Sequence, residues 1–204
     1  IGAEFREVIF TGSATEANNL ALRGALKALS FELLALSKTK KENLTANSYK
    51  LKPRIIVSAI EHESILETAR DLGKEGVEVI VVPVDKTGII NLKKLKVALN
   101  NRTVLVSVMY ANNEIGTIQP IAKISKLISE FRKWKIENRS RTDSTFYFLD
   151  SRFPLFHIDA VQALQFLDCT VENSGVDLMT ISGHKIYGPK GVGALYAKNI
   201  EYRI

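Results

Sequence analysis

The sequence predicts an α/β protein, with a mostly parallel sheet and helices on both faces in a three-layer αβα arrangement. Short apolar runs, which are typical of buried strands, alternate with segments whose apolar residues recur every three or four positions, which is typical of helices. Some runs are almost continuously apolar, as in 103–109, and such strands fit a sheet covered on both faces. Polar side chains follow the strands, so the pattern also predicts a site at the carboxyl edge of the sheet.

Composition indicates an ordinary globular protein. The chain has 204 residues, of which 46% are hydrophobic and 25% are charged, and this suits one domain or part of one. No apolar run approaches the ~18 residues needed to span a bilayer, and no signal region opens the chain. We therefore expect a cytoplasmic protein without a membrane partner. The single cysteine, Cys169, agrees with a reducing compartment.

The formal net charge is +6, and a local excess of lysines lies in the polar segment 37–53. This segment and 137–154 have no apolar period, so both are predicted to be exposed loops. Charged loops are more often solvated than bound to a ligand. Direct binding of nucleic acid is therefore not expected.

The first predicted strand, 7–10, leads through a turn into a long helix. An apolar stripe supports this helix and consists of Leu22, Leu26, Leu29, Leu33 and Leu36. The helix start offers unpaired amides beside the hydroxyls of Ser13 and Thr15, which together suit a phosphate. Such residues also cap helices that bind no ligand, so both interpretations stay open at this point.

The second predicted strand, 54–58, ends shortly before His62. The spacing of Ser64 and Glu67 is that of a capping box, which predicts that a helix opens at Ser64. His62 then lies on a strand-to-helix junction, at the edge where α/β sheets bind ligands. It is either a functional histidine or a loop histidine.

Two further strands are predicted at 78–82 and 103–109, each followed by a helix. Asn91 is predicted to cap the first of these helices, and Pro120 opens the second. The inward face of the second helix carries Ile121, Ile124, Ile128 and Phe131. Asn113 follows the strand at 103–109, either as a ligand or to shape a turn.

Three strands are predicted in the last part of the chain, at 156–159, 177–182 and 193–197. Asp159 ends the first of them, and Gln162 lies near the start of a predicted helix. A carboxylate at that depth would be costly without a cationic partner, and a protonated pyridine nitrogen would be such a partner.

Ser182, His184 and Lys185 follow the next strand and precede a glycine-rich run. A reachable, partly desolvated lysine can react with an aldehyde, and pyridoxal phosphate is the cofactor that such a site suits. An ordinary surface lysine is the alternative for this motif alone. The other candidates favour the cofactor, because they supply a phosphate seat, a base, amides and a carboxylate at the same edge.

Five segments resemble, in order, the motifs of cysteine desulfurases, in the class V aminotransferase group of fold-type I pyridoxal phosphate enzymes. The segments are FTGSATEANN at 10–19, EHE at 61–63, NNEIG at 112–116, HIDAVQ at 157–162 and SGHKIYGPKG at 182–191. The resemblance implies that 1–204 is the large domain that binds pyridoxal 5'-phosphate.

The resemblance also implies roles for individual residues. Lys185 would join the cofactor covalently and move protons at the substrate α-carbon, and His62 would stack on the ring and transfer protons. Asp159 would keep the pyridine nitrogen protonated. The remaining contacts implied are Gln162 and Asn113 near the phenolic oxygen, and Ala14, Thr15, Ser182 and His184 at the phosphate. No metal site is assigned.

In this family sulfur passes from L-cysteine to an enzyme persulfide, leaving L-alanine, and feeds iron–sulfur cluster assembly or tRNA thiolation. The resemblance implies a homodimer and a sulfur-acceptor or scaffold protein as partners. We expect an N-terminal segment, a small C-terminal domain and the sulfur-accepting cysteine loop to be absent from 1–204, so that this part alone does not complete sulfur transfer. Cys169 matches no active-site cysteine and is predicted to be structural.

Two other functions stay open. One is a related reaction with the same cofactor, such as selenocysteine lysis or transamination. The other is a non-catalytic scaffold that binds RNA or protein through its basic loops, although such a scaffold has no need for His62, Asp159, Gln162 and Lys185 together.

Overall fold

A computed structural model describes residues 1–39, 52–138 and 153–198. Within these residues seven strands form one sheet in the order β1-β7-β6-β5-β4-β2-β3. The strands are β1 (Val8–Thr11), β2 (Arg54–Ser58), β3 (Glu78–Val82), β4 (Thr103–Met109), β5 (Leu155–Asp159), β6 (Leu178–Ser182) and β7 (Gly193–Ala197). Only β7 pairs antiparallel with its neighbours among these strands, so the prediction of a mostly parallel sheet is confirmed.

Helices cover both faces of the sheet, as the sequence predicted. They are α1 (Ala14–Thr39), α2 (Glu63–Lys74), α3 (Leu92–Ala98), α4 (Ile121–Glu137) and α5 (Val171–Ser174), with short 3-10 helices at Phe5–Glu7 and Gly183–Lys185. None of the described helices has the length and apolar character that a bilayer crossing needs.

Two hydrophobic cores separate the layers, because successive strand residues point to opposite faces. Val57 packs in the core that holds Leu22 of α1 and Ile65 of α2. Its neighbour Ile56 packs in the opposite core, with Ile124 of α4. Every residue of β4 is buried, as expected for a central strand covered on both sides.

The start of α2 differs from the prediction. His62, not Ser64, is the N-cap, and its imidazole Nδ1 accepts a hydrogen bond from the backbone nitrogen of Ser64 at 3.1 Å. The capping-box assignment is wrong because the imidazole already satisfies this helix-end amide. At α3 the prediction is confirmed, since the Asn91 side chain accepts from the backbone nitrogen of Lys94 at 3.0 Å.

The segment after β5 also differs, since turns replace most of the predicted helix. The amides of Ala163 and Leu164 both donate to the carbonyl of Ala160, and helical structure resumes only at α5. After these turns, the Asp168 carboxylate accepts from both the amide and the hydroxyl of Thr170, shortly before α5 begins.

The two predicted loops lie largely outside the described residues. Helix α1 continues to Thr39, so the first part of the predicted loop 37–53 is helical, and 40–51 is not described. Of the predicted loop 137–154, Glu137 closes α4, Phe153 is buried in a core, and 139–152 is not described.

Candidate functional site

The carboxyl ends of β1, β6, β5, β4 and β2 share one edge of the sheet, and β7 begins there because it runs the other way. Each predicted site residue lies on a segment that leaves this edge. Ala14 and Thr15 follow β1, Ser182, His184 and Lys185 follow β6, Asp159 and Gln162 follow β5, Asn113 follows β4, and His62 follows β2. The topology therefore gathers elements that are far apart in the sequence.

The start of α1 is built by short-range hydrogen bonds. The Ser13 hydroxyl accepts from the backbone nitrogen of Glu16 at 3.1 Å, and the Thr11 hydroxyl donates to the carbonyl of Ser13 at 2.8 Å. The Glu16 carboxylate accepts from the backbone nitrogen of Gly12 at 2.7 Å. Ser13 thus caps the helix, and its hydroxyl lies directly before Ala14 and Thr15.

Gly193 joins the start of α1 to the end of β6. Gly193 pairs with Thr11 on one side and with Ser182 on the other. A Cβ at this position would lie 2.5 Å from the carbonyl carbon of Ser13 and 2.8 Å from the nitrogen of Ala14. Only glycine allows this approach, which brings the two halves of the predicted phosphate seat together.

The segment after β6 folds back on itself. Ser182 is buried, and its hydroxyl lies 2.8 Å from Nδ1 of His184. The amide of Gly188 donates to the carbonyl of Gly183 at 2.9 Å, and a Cβ on Gly188 would lie 2.8 Å from that oxygen. Lys185 is exposed on the 3-10 helix Gly183–Lys185. Its amine is reachable, but the described residues do not provide the desolvation that the sequence predicts.

Asp159 is a buried carboxylate held by neutral donors. Its side chain is 4% exposed at the end of β5. Asn18 Nδ2 donates to one carboxylate oxygen at 2.8 Å, and the backbone nitrogen of Val161 donates to the other at 3.0 Å. Burial raises the pKa of Asp159, while these two hydrogen bonds and the nearby His62 oppose that rise.

His62 is exposed at the start of α2, and its Nδ1 lies 2.8 Å from the Ser64 hydroxyl. The same hydroxyl accepts from Asn18 Nδ2 at 2.8 Å. Asn18 is therefore a site residue that sequence reasoning missed. The available signal was its position four residues before Leu22, which places an amide in line with the apolar stripe of α1.

Glu61 is a second buried carboxyl that sequence reasoning did not single out. Its Oε1 accepts from the Ser58 hydroxyl at 2.5 Å and from the backbone nitrogen of Met109 at 2.6 Å. Its Oε2 has no hydrogen-bond partner among the described residues. Burial raises the pKa of Glu61 to about 8, and the Asp159 charge adds to this rise. The position directly before His62 was the only signal available.

The two remaining candidates lie on loops at the same edge. Gln162 is half-buried in the turns after β5, and Asn113 is exposed after β4. The neighbouring Asn112 shapes that turn, since its Oδ1 accepts from the backbone nitrogen of Glu114 at 2.9 Å and its Nδ2 donates to the carbonyl of Ile60 at 3.0 Å. Of the two asparagines, Asn113 is thus the one whose side chain is left to face solvent.

Comparison with known proteins identifies relatives along almost the whole chain. The cysteine desulfurase IscS of Clostridium botulinum is 41% identical over 199 residues, which cover 98% of this chain and 40% of that protein. The chain thus spans less than half the length of this curated relative.

Comparison with solved structures also finds similar proteins along almost the whole chain. A NifS-like protein superposes with a TM-score of 0.72 at 33% identity, covering 97% of this chain and 44% of that one. SspA in complex with cysteine superposes with a TM-score of 0.68 at 32% identity, covering 97% and 46%. The sequence profile of the family described as aminotransferase class-V matches residues 36–135 and 151–202. Because this match takes in most of the sequence, the chain belongs to the aminotransferase class-V family.

Proposed function

We propose that this chain is the large domain of a cysteine desulfurase that uses pyridoxal 5'-phosphate. The observation that carries the proposal is the environment of Asp159. This carboxylate is almost completely buried and is held by the neutral amides of Asn18 and Val161. A buried carboxylate is costly without a cation, and the protonated ring nitrogen of the cofactor would supply one.

The residues at the other end of the edge fit a phosphate. The contact of Gly193 with Ser13 and Ala14 brings the N-terminus of α1 against β7, directly beside the end of β6. Ser182 and His184, already hydrogen-bonded to each other, lie on that neighbouring segment. Backbone amides at a helix start, hydroxyls and an imidazole form a donor set that suits a phosphate dianion. Ala14 and Thr15 would complete this contact.

When bound, pyridoxal phosphate supplies an electron-accepting ring that stabilises negative charge at the substrate α-carbon. On this proposal Lys185 would anchor the cofactor and would carry protons to and from that carbon, with His62 as a second proton-transfer group. Asp159 would hold the proton on the ring nitrogen. Gln162 and Asn113 would orient the phenolic oxygen and the substrate carboxylate.

L-Cysteine is the proposed substrate, because a relative at 41% identity is a cysteine desulfurase and one structural neighbour is in complex with cysteine. The products are then L-alanine and a persulfide. Cys169 is not the sulfur acceptor on this proposal. It is 4% exposed within a core, and burial raises the pKa of its thiol to about 11, so the reactive thiolate is scarce at neutral pH.

The whole protein is proposed to act as a cytoplasmic homodimer that passes sulfur to an acceptor or scaffold protein. The four most exposed aromatic side chains among the described residues are Phe5, Phe10, Phe166 and Tyr187, with exposed fractions of 85%, 72%, 76% and 91%.

The first test is cofactor attachment. The protein is mixed with pyridoxal phosphate, reduced with borohydride and digested, and mass spectrometry locates the modified lysine. We expect the label on Lys185, its loss in Lys185→Ala, and its retention in Lys190→Ala, an exposed lysine of the same loop. A folded protein without a Lys185-dependent label would overturn the proposal.

Substrate choice is tested next. L-Cysteine, L-selenocysteine or an amino donor is added to protein that carries pyridoxal phosphate, and the absorbance of the cofactor is recorded. If L-cysteine changes the cofactor absorbance at a lower concentration than the other two compounds do, the result supports a cysteine desulfurase. Preference for selenocysteine or for an amino donor would assign one of the related reactions instead. Salt-sensitive RNA binding without any cofactor label would favour the scaffold.

A further inference from the structure

We propose that Ser64 and Asn18 are positioning residues, which join His62 to Asp159 through one chain of hydrogen bonds and fix the His62 tautomer with its proton on Nε2. The assignment of His62 and Asp159 to the cofactor rests on the proposed function. The hydrogen-bond chain itself lies wholly within the described residues.

The tautomer follows from the cap of α2. The backbone nitrogen of Ser64 lies 3.1 Å from Nδ1 of His62, and a backbone N–H can only donate. Nδ1 must therefore be an acceptor without a proton of its own. The Ser64 hydroxyl, 2.8 Å from the same nitrogen, must then donate as well. The ring proton of neutral His62 is left on Nε2, so one contact sets both the helix cap and the tautomer.

The next link is the amide of Asn18. Because the Ser64 hydroxyl donates its hydrogen to His62, it accepts from Asn18 Nδ2, which lies 2.8 Å away. The second hydrogen on Nδ2 goes to Asp159 Oδ2, also at 2.8 Å. Both amide hydrogens are thereby used. A flipped amide would turn the Asn18 carbonyl oxygen toward the Asp159 carboxylate, which excludes that orientation while Asp159 is ionised.

The fold keeps this amide at a cost. Asn18 is 1% exposed, and its Oδ1 has no hydrogen-bond partner among the described residues. Burying an unsatisfied carbonyl oxygen opposes folding, and an apolar residue would avoid the penalty. Its helix neighbours Ala17 and Ala21 are ordinary core residues. Among the described residues, the hydrogen bonds of the Asn18 side chain go to Ser64 and Asp159, so positioning these two groups accounts for its presence.

The consequence is that His62 and Asp159 are held in register by residues that would not touch the cofactor. Asn18 and Val161 each hold one oxygen of Asp159, which fixes the plane of that carboxylate. Glu61 and His62 are charged or titratable groups of the described residues that interact with Asp159, and the Asn18 bond favours its ionised form. Losing Asn18 should therefore disturb both His62 and Asp159, the two ends of the hydrogen-bond chain.

The test uses nitrogen NMR of the full chain without cofactor. We expect His62 to show an unprotonated Nδ1 and a protonated Nε2. Ser64→Ala should shift the Nδ1 resonance and weaken the tautomer preference, whereas Ser64→Thr should retain both. Thr103→Val, which removes a buried hydroxyl that bonds to Asn100 instead, is the matched control and should leave His62 unchanged. A proton on Nδ1 of the unmodified protein would overturn the proposal.

A second measurement tests the far link, by following the Asp159 side-chain carboxyl carbon through a pH titration. Asn18→Ala should raise the Asp159 pKa and also move the His62 Nδ1 resonance. Asn19→Ala is the control, because Asn19 is the adjacent α1 amide and bonds to Thr15 and Thr68 instead. If Asn18→Ala and Asn19→Ala give the same Asp159 pKa and the same His62 Nδ1 resonance, the hydrogen-bond chain does not couple His62 to Asp159.

These readouts need no cofactor, so they separate this proposal from the previous one. Absence of a Lys185-dependent label would overturn the cofactor assignment and leave the tautomer result standing. With cofactor, Asn18→Ala should weaken pyridoxal phosphate binding at least about tenfold relative to Asn19→Ala, a loss typical of residues that orient a ligand-binding group.

Discussion

The Glu61 carboxyl lies 2.6 Å from the backbone nitrogen of Met109, and this contact ties the turn after β2 to the end of β4. The two strands are already neighbours in the sheet, so the contact extends their pairing into the edge where His62 follows. Burial raises the pKa of Glu61 from 4.5 to about 8. The folded protein therefore holds a proton on Glu61 under conditions where the unfolded chain releases it.

Glu61→Gln tests this link through the pH dependence of stability. Because the folded pKa is the higher one, the contribution of Glu61 is complete below pH 4.5 and is lost as pH rises from 4.5 to about 8. Glutamine cannot lose a proton, so the variant should gain stability relative to the parent over that range in urea unfolding. A constant difference between parent and Glu61→Gln would contradict the assignment.

His157 gives the opposite pH dependence. It is fully buried, with Nδ1 2.9 Å from the Ser107 hydroxyl and Nε2 3.0 Å from the Thr180 hydroxyl. Burial lowers its pKa from 6.5 to about 3. Its contribution is therefore complete above pH 6.5 and is lost as pH falls from 6.5 toward 3, because the unfolded chain takes up the proton first.

His157→Gln should remove that part of the acid sensitivity. At pH 7 the variant should be less stable by about 1–3 kcal/mol, since buried hydroxyls lose their partner. The difference from the parent should shrink as the pH is lowered through 6.5. Thermal unfolding at several pH values checks this prediction. A His157 imidazole that titrates near pH 6.5 in the folded parent would show the prediction to be wrong.

Gly193→Ala probes the contact between β7 and the start of α1. The added methyl would overlap the Ser13–Ala14 peptide, which cannot move without disturbing β1. We expect a loss of about 1–3 kcal/mol in denaturant unfolding, as for other overpacked positions, together with weaker binding of pyridoxal phosphate. Gly24→Ala is the matched control within α1, where nothing lies within 4 Å of the new Cβ. It should stabilise the helix by about 0.5–1 kcal/mol.

Asp177 links α4 to the start of β5. Arg132 Nη2 lies 2.5 Å from its carboxylate, which also accepts from the backbone nitrogen of Phe156 at 2.7 Å. Both charged side chains are largely shielded, with exposed fractions of 20% for Arg132 and 17% for Asp177. Asp177→Ala should therefore cost about 2–3 kcal/mol in denaturant unfolding, because a charged donor and an amide lose their acceptor.

The control for Asp177 is the exposed pair of Asp71 and Lys74 on α2. Solvent screens such pairs, so Asp71→Ala should leave the unfolding midpoint unchanged. Equal losses in Asp177→Ala and Asp71→Ala would contradict the proposed role of burial.

The strands and the site edge could be predicted because both depend on local pattern. A run such as 103–109 is almost continuously apolar, and each candidate site residue lies at or just after the end of a strand. The start of α2 was missed because Ser64 and Glu67 fit the rule for a capping box, and histidine is not a residue that the rule considers. The turns after β5 were missed because nothing in the sequence of that segment separates successive turns from a short helix.

The supporting residues could not be predicted, because their partners are distant in sequence. Asn18 bonds to Asp159 across 141 positions, and Glu61 bonds to Met109 across 48. No local period or spacing indicates such pairs. In the sequence, Asn18 is a polar residue in line with the leucine stripe of α1. Glu61 is distinguished only by its position next to His62.

The position of β7 has a consequence for the order of folding during synthesis. In the described sheet β1 has a single neighbour, β7, and Val8 pairs with Tyr196. Within this sheet β1 therefore cannot pair until β7, which follows all the other described strands in the sequence, has emerged from the ribosome. Contacts between such distant segments close slowly. The close contact of Gly193 with Ser13 and Ala14 can then form only after β7 has been synthesised, so the start of α1 reaches its final packing later than the rest of that helix.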